Sequence, residues 1–300
     1  MDQPGVLRRV SRYGYAAMAG FAQRSWPATL VTRQLPPGLR CRVVGAIGSS
    51  PLPRRETVED CWGIRAKLFL DDDVQRRIFF GLFERKEIAL VKSLVGRGDV
   101  CLDVGANVGF YACHLGRLVG SSGTVFAFEP EPRNAVRLET NLELSGVADR
   151  VSVELVAVSD QVGWTRFHRS PVEHSGWGSI HDSPGFRGDT VQVRTTTIDA
   201  FMKDRSIHSA RLLKVDVEGG DPEVYAGATE SLARGAFRFI LAEWNGVRFP
   251  QRGISLDTFL DGFDRFGYRP IRWRGSAAEA LLGARVDPEG AIVNFVLARN

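Results

Sequence analysis

Short apolar runs alternate with helix-length segments from residue 98 to the end of the chain, and this alternation constrains the fold more than any other feature. Apolar runs that end in glycine or an acid are typical of buried parallel strands. Strands are predicted over residues 100–104, 124–128, 151–158, 211–216, 237–242, 268–273 and 292–298. Helices are predicted over residues 108–119, 132–146, 221–235 and 256–266. Such repeated units predict an α/β doubly wound sheet that binds ligands at the carboxyl ends of its strands.

The first 60 residues differ in charge from the rest of the 300-residue chain. They hold nine arginines and four acids, a net charge of +5, whereas the remaining 240 residues carry a net charge of −1. A body without excess positive charge is not built to neutralise nucleic acid phosphates. We therefore predict a basic, partly helical N-terminal extension over residues 1–60, a separate domain over residues 61–300, and no nucleic acid partner.

Three interpretations of the extension stay open. Apolar residues recur from Val6 to Phe21 at spacings of four, three, four and four, which predicts an amphipathic helix. In the first interpretation the helix packs on residues 61–300 or on a second copy in a homodimer. In the second it contacts a membrane surface, and in the third it carries a twin-arginine export signal at Arg8 and Arg9. No run approaches the about 20 apolar residues of a membrane span. Four widely spaced cysteines favour a reducing cytoplasm over a disulfide scaffold.

A glycine-containing turn joins the first predicted strand to the first helix and indicates a cofactor site. It runs from Asp103 through Gly105 and Asn107 to Gly109. Dinucleotide-binding turns carry glycine at relative positions one, three and six, and the latter two positions hold Asn107 and Phe110 here. A turn without those glycines better suits a cationic ligand that has no pyrophosphate. Our candidate cofactor ligands in this turn are Asp103, Gly105, Asn107 and Gly109.

An acid follows the second predicted strand at the position where nucleoside-binding folds hold a ribose. Glu129 lies 24 residues after Gly105. A carboxylate there accepts hydrogen bonds from both ribose hydroxyls, as it does in dinucleotide folds. Glu129 therefore predicts a nucleoside-containing cofactor, without specifying which one.

Three ordered motifs resemble those of FkbM-type S-adenosylmethionine-dependent methyltransferases. They are Asp-Val-Gly-Ala-Asn-Val-Gly-Phe-Tyr at 103–111, Phe-Glu-Pro-Glu-Pro at 128–132 and Leu-Lys-Val-Asp-Val-Glu-Gly at 213–219. The resemblance runs from about Leu70 to the C-terminus. It implies a class I methyltransferase (Rossmann-like) fold with a seven-stranded sheet whose last strand is antiparallel. It also implies that S-adenosyl-L-methionine is the cofactor, with Asp103 and the glycine turn at its methionine part and Glu129 at its ribose. Asp216 is a further candidate cofactor ligand.

Acidic residues at two strand ends are the candidate catalytic groups. Alternation along the fourth strand places Lys214, Asp216 and Glu218 on one side, and Glu243 ends the fifth strand, where FkbM-type proteins usually keep an acid. A hydroxyl acceptor needs a base or a metal to remove its proton. We expect a carboxylate base without a metal. The alternative is Mg²⁺ held by Asp216, Glu218, Glu243 and Asn245.

An insertion at about residues 159–197 is predicted to form a flap or hairpin over the acceptor. It contains three of the five histidines and a stretch rich in glycine and serine at 175–179. His174 is a candidate general base, although a single loop histidine is more often solvated.

The motifs together favour an O-methyltransferase that acts on a hydroxyl of a small molecule, namely a sugar, a glycoside or a polyketide-type secondary metabolite. Two other activities stay open. A nicotinamide-dependent oxidoreductase is disfavoured by Asn107 and Phe110 in the glycine turn, and a methyltransferase of nucleic acid or another macromolecule is opposed by the charge of the body.

Overall fold

The computed structural model describes residues 17–20, 22–23, 26–47, 50, 52–53, 55–171, 173–181, 189–273 and 290–299. The chain divides into two units. One comprises the described residues up to Arg85 together with 173–175, and the other comprises the remaining described residues. The amphipathic helix predicted from Val6 to Phe21 lies mostly outside the described residues. Residues 17–20 and 22–23, which the structure describes in this region, are helical.

The first unit combines helices with a β-hairpin. Its elements are α1 (Trp26–Arg33), α2 (Pro37–Ile47), β1 (Glu56–Cys61), β2 (Ile64–Phe69) and α3 (Asp73–Phe79). Strands β1 and β2 are antiparallel. Asp72 caps α3, because its carboxylate accepts hydrogen bonds from the amides of Gln75 at 2.8 Å and Ser175 at 2.6 Å. Residues 173–175 are therefore fixed to the start of α3.

The second unit is built on a seven-stranded sheet. Its strands are β3 (Val100–Val104), β4 (Thr124–Phe128), β5 (Val151–Glu154), β9 (Ala210–Val215), β10 (Phe237–Asn245), β11 (Tyr268–Pro270) and β12 (Ile292–Arg299). Their spatial order is β11-β12-β10-β9-β3-β4-β5. All neighbouring strands are parallel except that β12 is antiparallel to both β10 and β11. The predicted doubly wound sheet with an antiparallel last strand is confirmed.

One helix precedes the first strand of this sheet, and further helices lie between its strands. They are α4 (Arg85–Leu94), α5 (Phe110–Val119), α6 (Pro132–Ser145), α7 (Ile198–Asp204), α8 (Asp221–Ala226), α9 (Thr229–Ala233), α10 (Arg248–Gln251) and α11 (Leu256–Asp264). The apolar residues of β9 and β10 pack with Phe259 and Phe263 of α11 in one buried cluster. Burial of this cluster removes apolar surface from water and holds the carboxyl ends of the two strands in place.

Helix α6 shows how local sequence sets an element. Glu131 caps it by accepting a hydrogen bond from the amide of Arg133, and Pro132 occupies the first turn. Gly146 ends the helix in a left-handed conformation with φ of 66°. The predicted start at Pro132 and end at Gly146 are confirmed.

Three strand predictions need correction, and one of them is the predicted strand 268–273, which ends at Pro270. The segment 151–158 is not one strand, because pairing with β4 ends at Glu154 and β6 (Ala157–Val158) joins a separate small sheet. That sheet also contains the antiparallel strands β7 (Gly163–His168) and β8 (Thr190–Thr196). Strand β10 continues past residue 242 to Asn245, because β12 pairs with it over that length. Glu243 therefore lies within the strand and not after it.

The cysteines and the helices relate to the predictions about disulfide bonds and about membrane spans. All four cysteines are free thiols, and three of them are buried. Within the part of the chain that the structure describes, no helix has the length and hydrophobicity needed to cross a membrane.

Candidate active site

The turn after β3 is in direct contact with the turn after β9. Gly105 has a φ of 79°, and a Cβ atom at this position would lie 1.9 Å from the carbonyl oxygen of Asp216. Only glycine satisfies both the backbone conformation and this close approach. The amides of Gly105 and Ala106 donate to the carbonyl of Phe128 at 3.0 and 2.9 Å. The predicted cofactor turn is thus held between β4 and β9.

The rest of this turn leads into α5. Asn107 adopts a left-handed conformation with φ of 49°, and Gly109 lies immediately before the helix with φ of 90°. The side-chain amide of Asn141, on α6, donates to the carbonyl of Val108 at 2.8 Å. Contacts from a neighbouring helix therefore fix the turn in addition to its own sequence.

Glu129 lies where the sequence predicts the ribose-binding acid. Its Oε2 accepts from the amide of Asn107 at 2.8 Å, and its Oε1 accepts from the amide of Glu131 at 2.9 Å. Burial raises the pKa of Glu129 to about 7, although the two amide hydrogen bonds oppose this effect. Each carboxylate oxygen can accept a further hydrogen bond. The group therefore fits the vicinal hydroxyls of a ribose.

Lys214 connects β3 to the predicted acceptor side. Its Nζ lies 3.4 Å from Oδ1 of Asp103 and 3.3 Å from Oδ2 of Asp216, and it donates to the carbonyl of Gly105 at 3.2 Å. The ammonium also lies 5.0 Å from the centre of the Tyr111 ring. Burial raises the pKa of Asp103, and the positive charge of Lys214 counteracts that rise. The structure thus brings Lys214, Asp103 and Asp216 together.

The turn between β9 and α8 holds the partly buried Glu218 and leads to the fully buried Asp221. Burial and the charge of Asp216 raise the pKa of Glu218 to about 8, and the positive charge of Arg248 counteracts this. Asp221 is fully buried and accepts from the amide of Gly219 at 3.2 Å. Burial and the charge of Asp216 raise the pKa of Asp221 to about 7. Strongly shifted acids at one turn are typical of functional sites.

The end of β10 contributes Glu243 and Asn245. Glu243 is 6% exposed and lies opposite Asn294 in the β10–β12 pair. Asn245 Oδ1 accepts hydrogen bonds from the amides of Val247 at 3.2 Å and Arg248 at 3.0 Å. The side chain of Asn245 is therefore bound to the backbone that leads into α10. Within the described ranges, no three His, Cys, Asp or Glu side chains are grouped closely enough to hold a metal ion.

The predicted flap is divided between the two units. Residues 173–175, which include His174, belong to the first unit, and residues 182–188 lie outside the described part. In the second unit, Ser179 pairs with His168, and its Oγ donates to the carbonyl of Glu218 at 3.1 Å. His181 Nε2 lies 3.3 Å from Oε2 of Glu223. The segment 176–181 is thus attached to the β9–α8 turn, whereas a catalytic role of His174 stays a prediction.

Comparison with known proteins identifies the family to which this architecture belongs. The model of the methyltransferase FkbM domain matches residues 103–270, more than half of the chain. The chain belongs to the FkbM methyltransferase family. It is therefore an S-adenosylmethionine-dependent methyltransferase, and the predicted cofactor and enzyme class are confirmed.

Two relatives agree with this assignment, and the chain is also similar to a solved structure. The 2-O-methyltransferase NoeI of Sinorhizobium fredii is 29% identical over 206 residues, which cover 64% of this chain and 82% of NoeI. The hexuronic acid methyltransferase AglP of Haloferax volcanii is 28% identical over 192 residues, 63% of this chain and 67% of AglP. The solved O-methyltransferase of Bacillus cereus in complex with SAH is 16% identical, with a TM-score of 0.39 over 70% of this chain and 77% of that one.

Three polar residues of the candidate site are not predicted from the sequence. Asp221 was interpreted only as the start of a helix, although its position three residues after Glu218 was a usable signal. Tyr225, one helical turn further on, has a buried phenol whose pKa is raised by burial and by the charges of Asp221 and Glu243, among others. Arg248 contacts Glu218 only because β9 and β10 are neighbours, so no local pattern reveals it.

Proposed function

We propose that this FkbM-family protein transfers the methyl group of S-adenosylmethionine to a hydroxyl of a sugar or glycoside. The names of NoeI, a 2-O-methyltransferase, and AglP, a hexuronic acid methyltransferase, support this acceptor class. Bound S-adenosylmethionine supplies an electrophilic methyl group on a sulfonium centre. The residues described below would bind the cofactor and receive the proton of the acceptor.

The observation that carries this proposal is the contact between the two turns. The carbonyl of Asp216 faces Gly105 closely enough to exclude a side chain there, and the amide of Asp216 donates to the carbonyl of Val104 at 3.1 Å. Residues that follow Asp216 are therefore adjacent to residues that follow Val104. A cofactor on the first turn is next to the carboxyl groups of the second, which satisfies the alignment that methyl transfer requires.

Residues on and near the two turns have different roles in the proposed site. Glu129 and the turn from Gly105 to Gly109 hold the cofactor, Lys214 keeps Asp103 and Asp216 together, and Glu218 is the base that takes the acceptor proton. A sugar donates several hydroxyl hydrogen bonds, and the carboxylates of Asp216, Glu218 and Glu243 are suitable acceptors for them. We propose that deprotonation proceeds without Mg²⁺, in keeping with the two backbone amide hydrogen bonds that Asn245 Oδ1 already accepts.

The experiment is a methyl-transfer assay with labelled S-adenosylmethionine. The acceptor panel contains a methyl hexoside, a methyl hexuronide and a hydroxylated macrolactone, each with and without a metal chelator. We expect label in the hexoside or the hexuronide, and no effect of the chelator. Label only in the macrolactone would show that the acceptor is of the polyketide type and not a sugar. Loss of transfer with the chelator, restored by Mg²⁺, would assign deprotonation to the metal.

We further propose a cytoplasmic protein whose N-terminal extension mediates homodimer formation. The free thiols support the compartment, and the apolar spacing from Val6 to Phe21 supports the helical extension. Size-exclusion chromatography with light scattering on the full chain and on a variant without residues 1–25 tests the assembly. A dimer that persists in the shortened variant would contradict this role.

A further inference from the structure

The turn between β9 and α8 holds an unusual backbone conformation at the proposed base. Glu218 has a φ of 54° and Gly219 a φ of 91°. A left-handed conformation is unfavourable for a residue with a side chain, because its Cβ atom approaches the following carbonyl oxygen. Such a conformation persists only where surrounding contacts enforce it, and it is concentrated at functional sites.

The carbonyl groups of this turn accept hydrogen bonds from two other segments. Arg248 Nη1 donates to the carbonyl of Glu218 at 2.8 Å, and Ser179 Oγ donates to the same oxygen at 3.1 Å. Arg252 Nη1 donates to the carbonyl of Gly219 at 2.6 Å. Three side chains thus hold two consecutive carbonyls in the orientation that the left-handed turn requires.

Arg248 contacts this turn in two further ways. A Cβ atom on Gly219 would lie 2.7 Å from Cδ of Arg248, so the stem of the arginine packs directly over the glycine. The second terminal nitrogen, Nη2, lies 3.7 Å from Oε2 of Glu218, and each side chain is 22% exposed. One guanidinium therefore reaches both the backbone and the carboxylate of Glu218.

The position of Arg248 is itself fixed by the neighbouring strand. Asn245, the last residue of β10, accepts from the amide of Arg248 at 3.0 Å. Phe249, the next residue, is fully buried against Trp244, with ring centres 5.2 Å apart. The backbone of Arg248 is thus attached to the rigid end of the sheet, and its planar side chain makes directional hydrogen bonds.

We propose that Arg248 is a positioning residue, which holds Glu218 in the conformation that directs its carboxylate at the acceptor. The expected effect on turnover rests on the proposed function, whereas the expected effect on the conformation of the turn does not. Arg248 is expected to act through Glu218 and not on the cofactor. Lysine in its place provides a charge but lacks the planar fork that reaches two oxygens of one residue.

A double-mutant cycle tests this with four forms of the full chain: wild type, Arg248→Gln, Glu218→Gln and the double variant. We expect Arg248→Gln to lower kcat about 10- to 100-fold, with KM for the acceptor and the affinity for S-adenosylhomocysteine each within about threefold of wild type. Arg248→Lys should recover part of the loss. Arg265→Gln, which replaces an exposed arginine after α11, should have no effect.

In the Glu218→Gln background, adding Arg248→Gln should lower kcat by less than about twofold. Equal costs in both backgrounds would overturn the inference.

Amide hydrogen exchange provides a readout that needs no acceptor. The amide of Gly219 donates to Asp221 at 3.2 Å, and that of Gly220 donates to the carbonyl of Val217 at 3.3 Å. Both should exchange at least about tenfold faster in Arg248→Gln than in wild type or Arg265→Gln. Unchanged exchange in a folded variant would also overturn the inference. Faster exchange combined with normal turnover of Glu218→Gln would instead show that Arg248 holds the turn but that Glu218 is not the base.

Discussion

Lys214 and Asp103 form a buried ion pair between neighbouring strands, with 3.4 Å between Nζ and Oδ1 and side-chain exposures of 5% and 0%. The two residues are direct partners in the β3–β9 register. The same ammonium lies 3.3 Å from Asp216 at the end of β9. One cation therefore compensates two carboxylates, one on the strand before the cofactor turn and one on the proposed acceptor side.

Removing this cation should be severely destabilising. Lys214→Met leaves Asp103 buried without its counter-charge, and we expect it to lower the free energy of unfolding by about 3–5 kcal/mol. The measurement is urea denaturation. Lys203→Met, on the exposed surface of α7, is the matched control and should change stability by less than about 0.5 kcal/mol. A loss below about 1 kcal/mol for Lys214→Met would contradict the role of the pair.

The contact between the two turns makes a second prediction. Gly105→Ala places a methyl group against the carbonyl of Asp216 and should prevent folding or abolish cofactor binding. Gly262→Ala is the control, since a Cβ atom at that position in α11 meets no atom within 4 Å. It should stabilise the protein by roughly 0.5–1 kcal/mol. Thermal unfolding and titration with S-adenosylhomocysteine measure both effects, and normal binding by Gly105→Ala would refute the close contact.

Glu129→Ala should weaken binding of S-adenosylhomocysteine by about 1.5–3 kcal/mol, the range for hydrogen bonds to a charged group. Calorimetry measures the affinity, and circular dichroism checks that the variant is folded. Glu139→Ala, an exposed glutamate of α6, serves as the control. Unchanged affinity in folded Glu129→Ala would mean that the ribose is held by other residues.

Cofactor affinity should also depend on pH through Glu129. Its pKa is raised to about 7, so the carboxyl is mostly protonated at pH 6 and mostly ionised at pH 8. The ionised form accepts the ribose hydrogen bonds more strongly, and affinity should therefore rise up to about tenfold between these pH values. Glu129→Gln cannot ionise and should show a flatter profile. Identical profiles for the two proteins would assign the pH dependence to another group.

Much of the second unit could be predicted from local sequence. Strands β3, β4 and β9, the start of α6 at Pro132 and its end at Gly146 were all evident, because apolar runs, proline and glycine act within a few residues. The division of residues 151–158 was not evident. Nothing local distinguishes β5 from β6, since only the partner strand decides which sheet each one joins.

The candidate site shows the same limit. Residues that follow a strand, such as Glu129 and Asp216, were found because a parallel sheet gathers the carboxyl ends of its strands. Arg248 was missed because its contact with Glu218 joins segments 30 residues apart. The hydrogen bonds of Asn245 with the amides before α10 depend on where β10 ends, and the sequence predicts an earlier end for that strand.

The most direct test of the proposed mechanism is the turnover of Glu218→Gln on the acceptor, measured together with its affinity for S-adenosylhomocysteine. Loss of a general base typically costs roughly 10²–10⁴-fold in rate. We predict a fall in kcat of that size with cofactor affinity within about threefold of wild type, and smaller falls for Asp216→Asn and Glu243→Gln. Glu230→Gln, exposed on α9, should behave as wild type. Near-normal kcat in all three site variants would show that these carboxylates are structural and would contradict the mechanism.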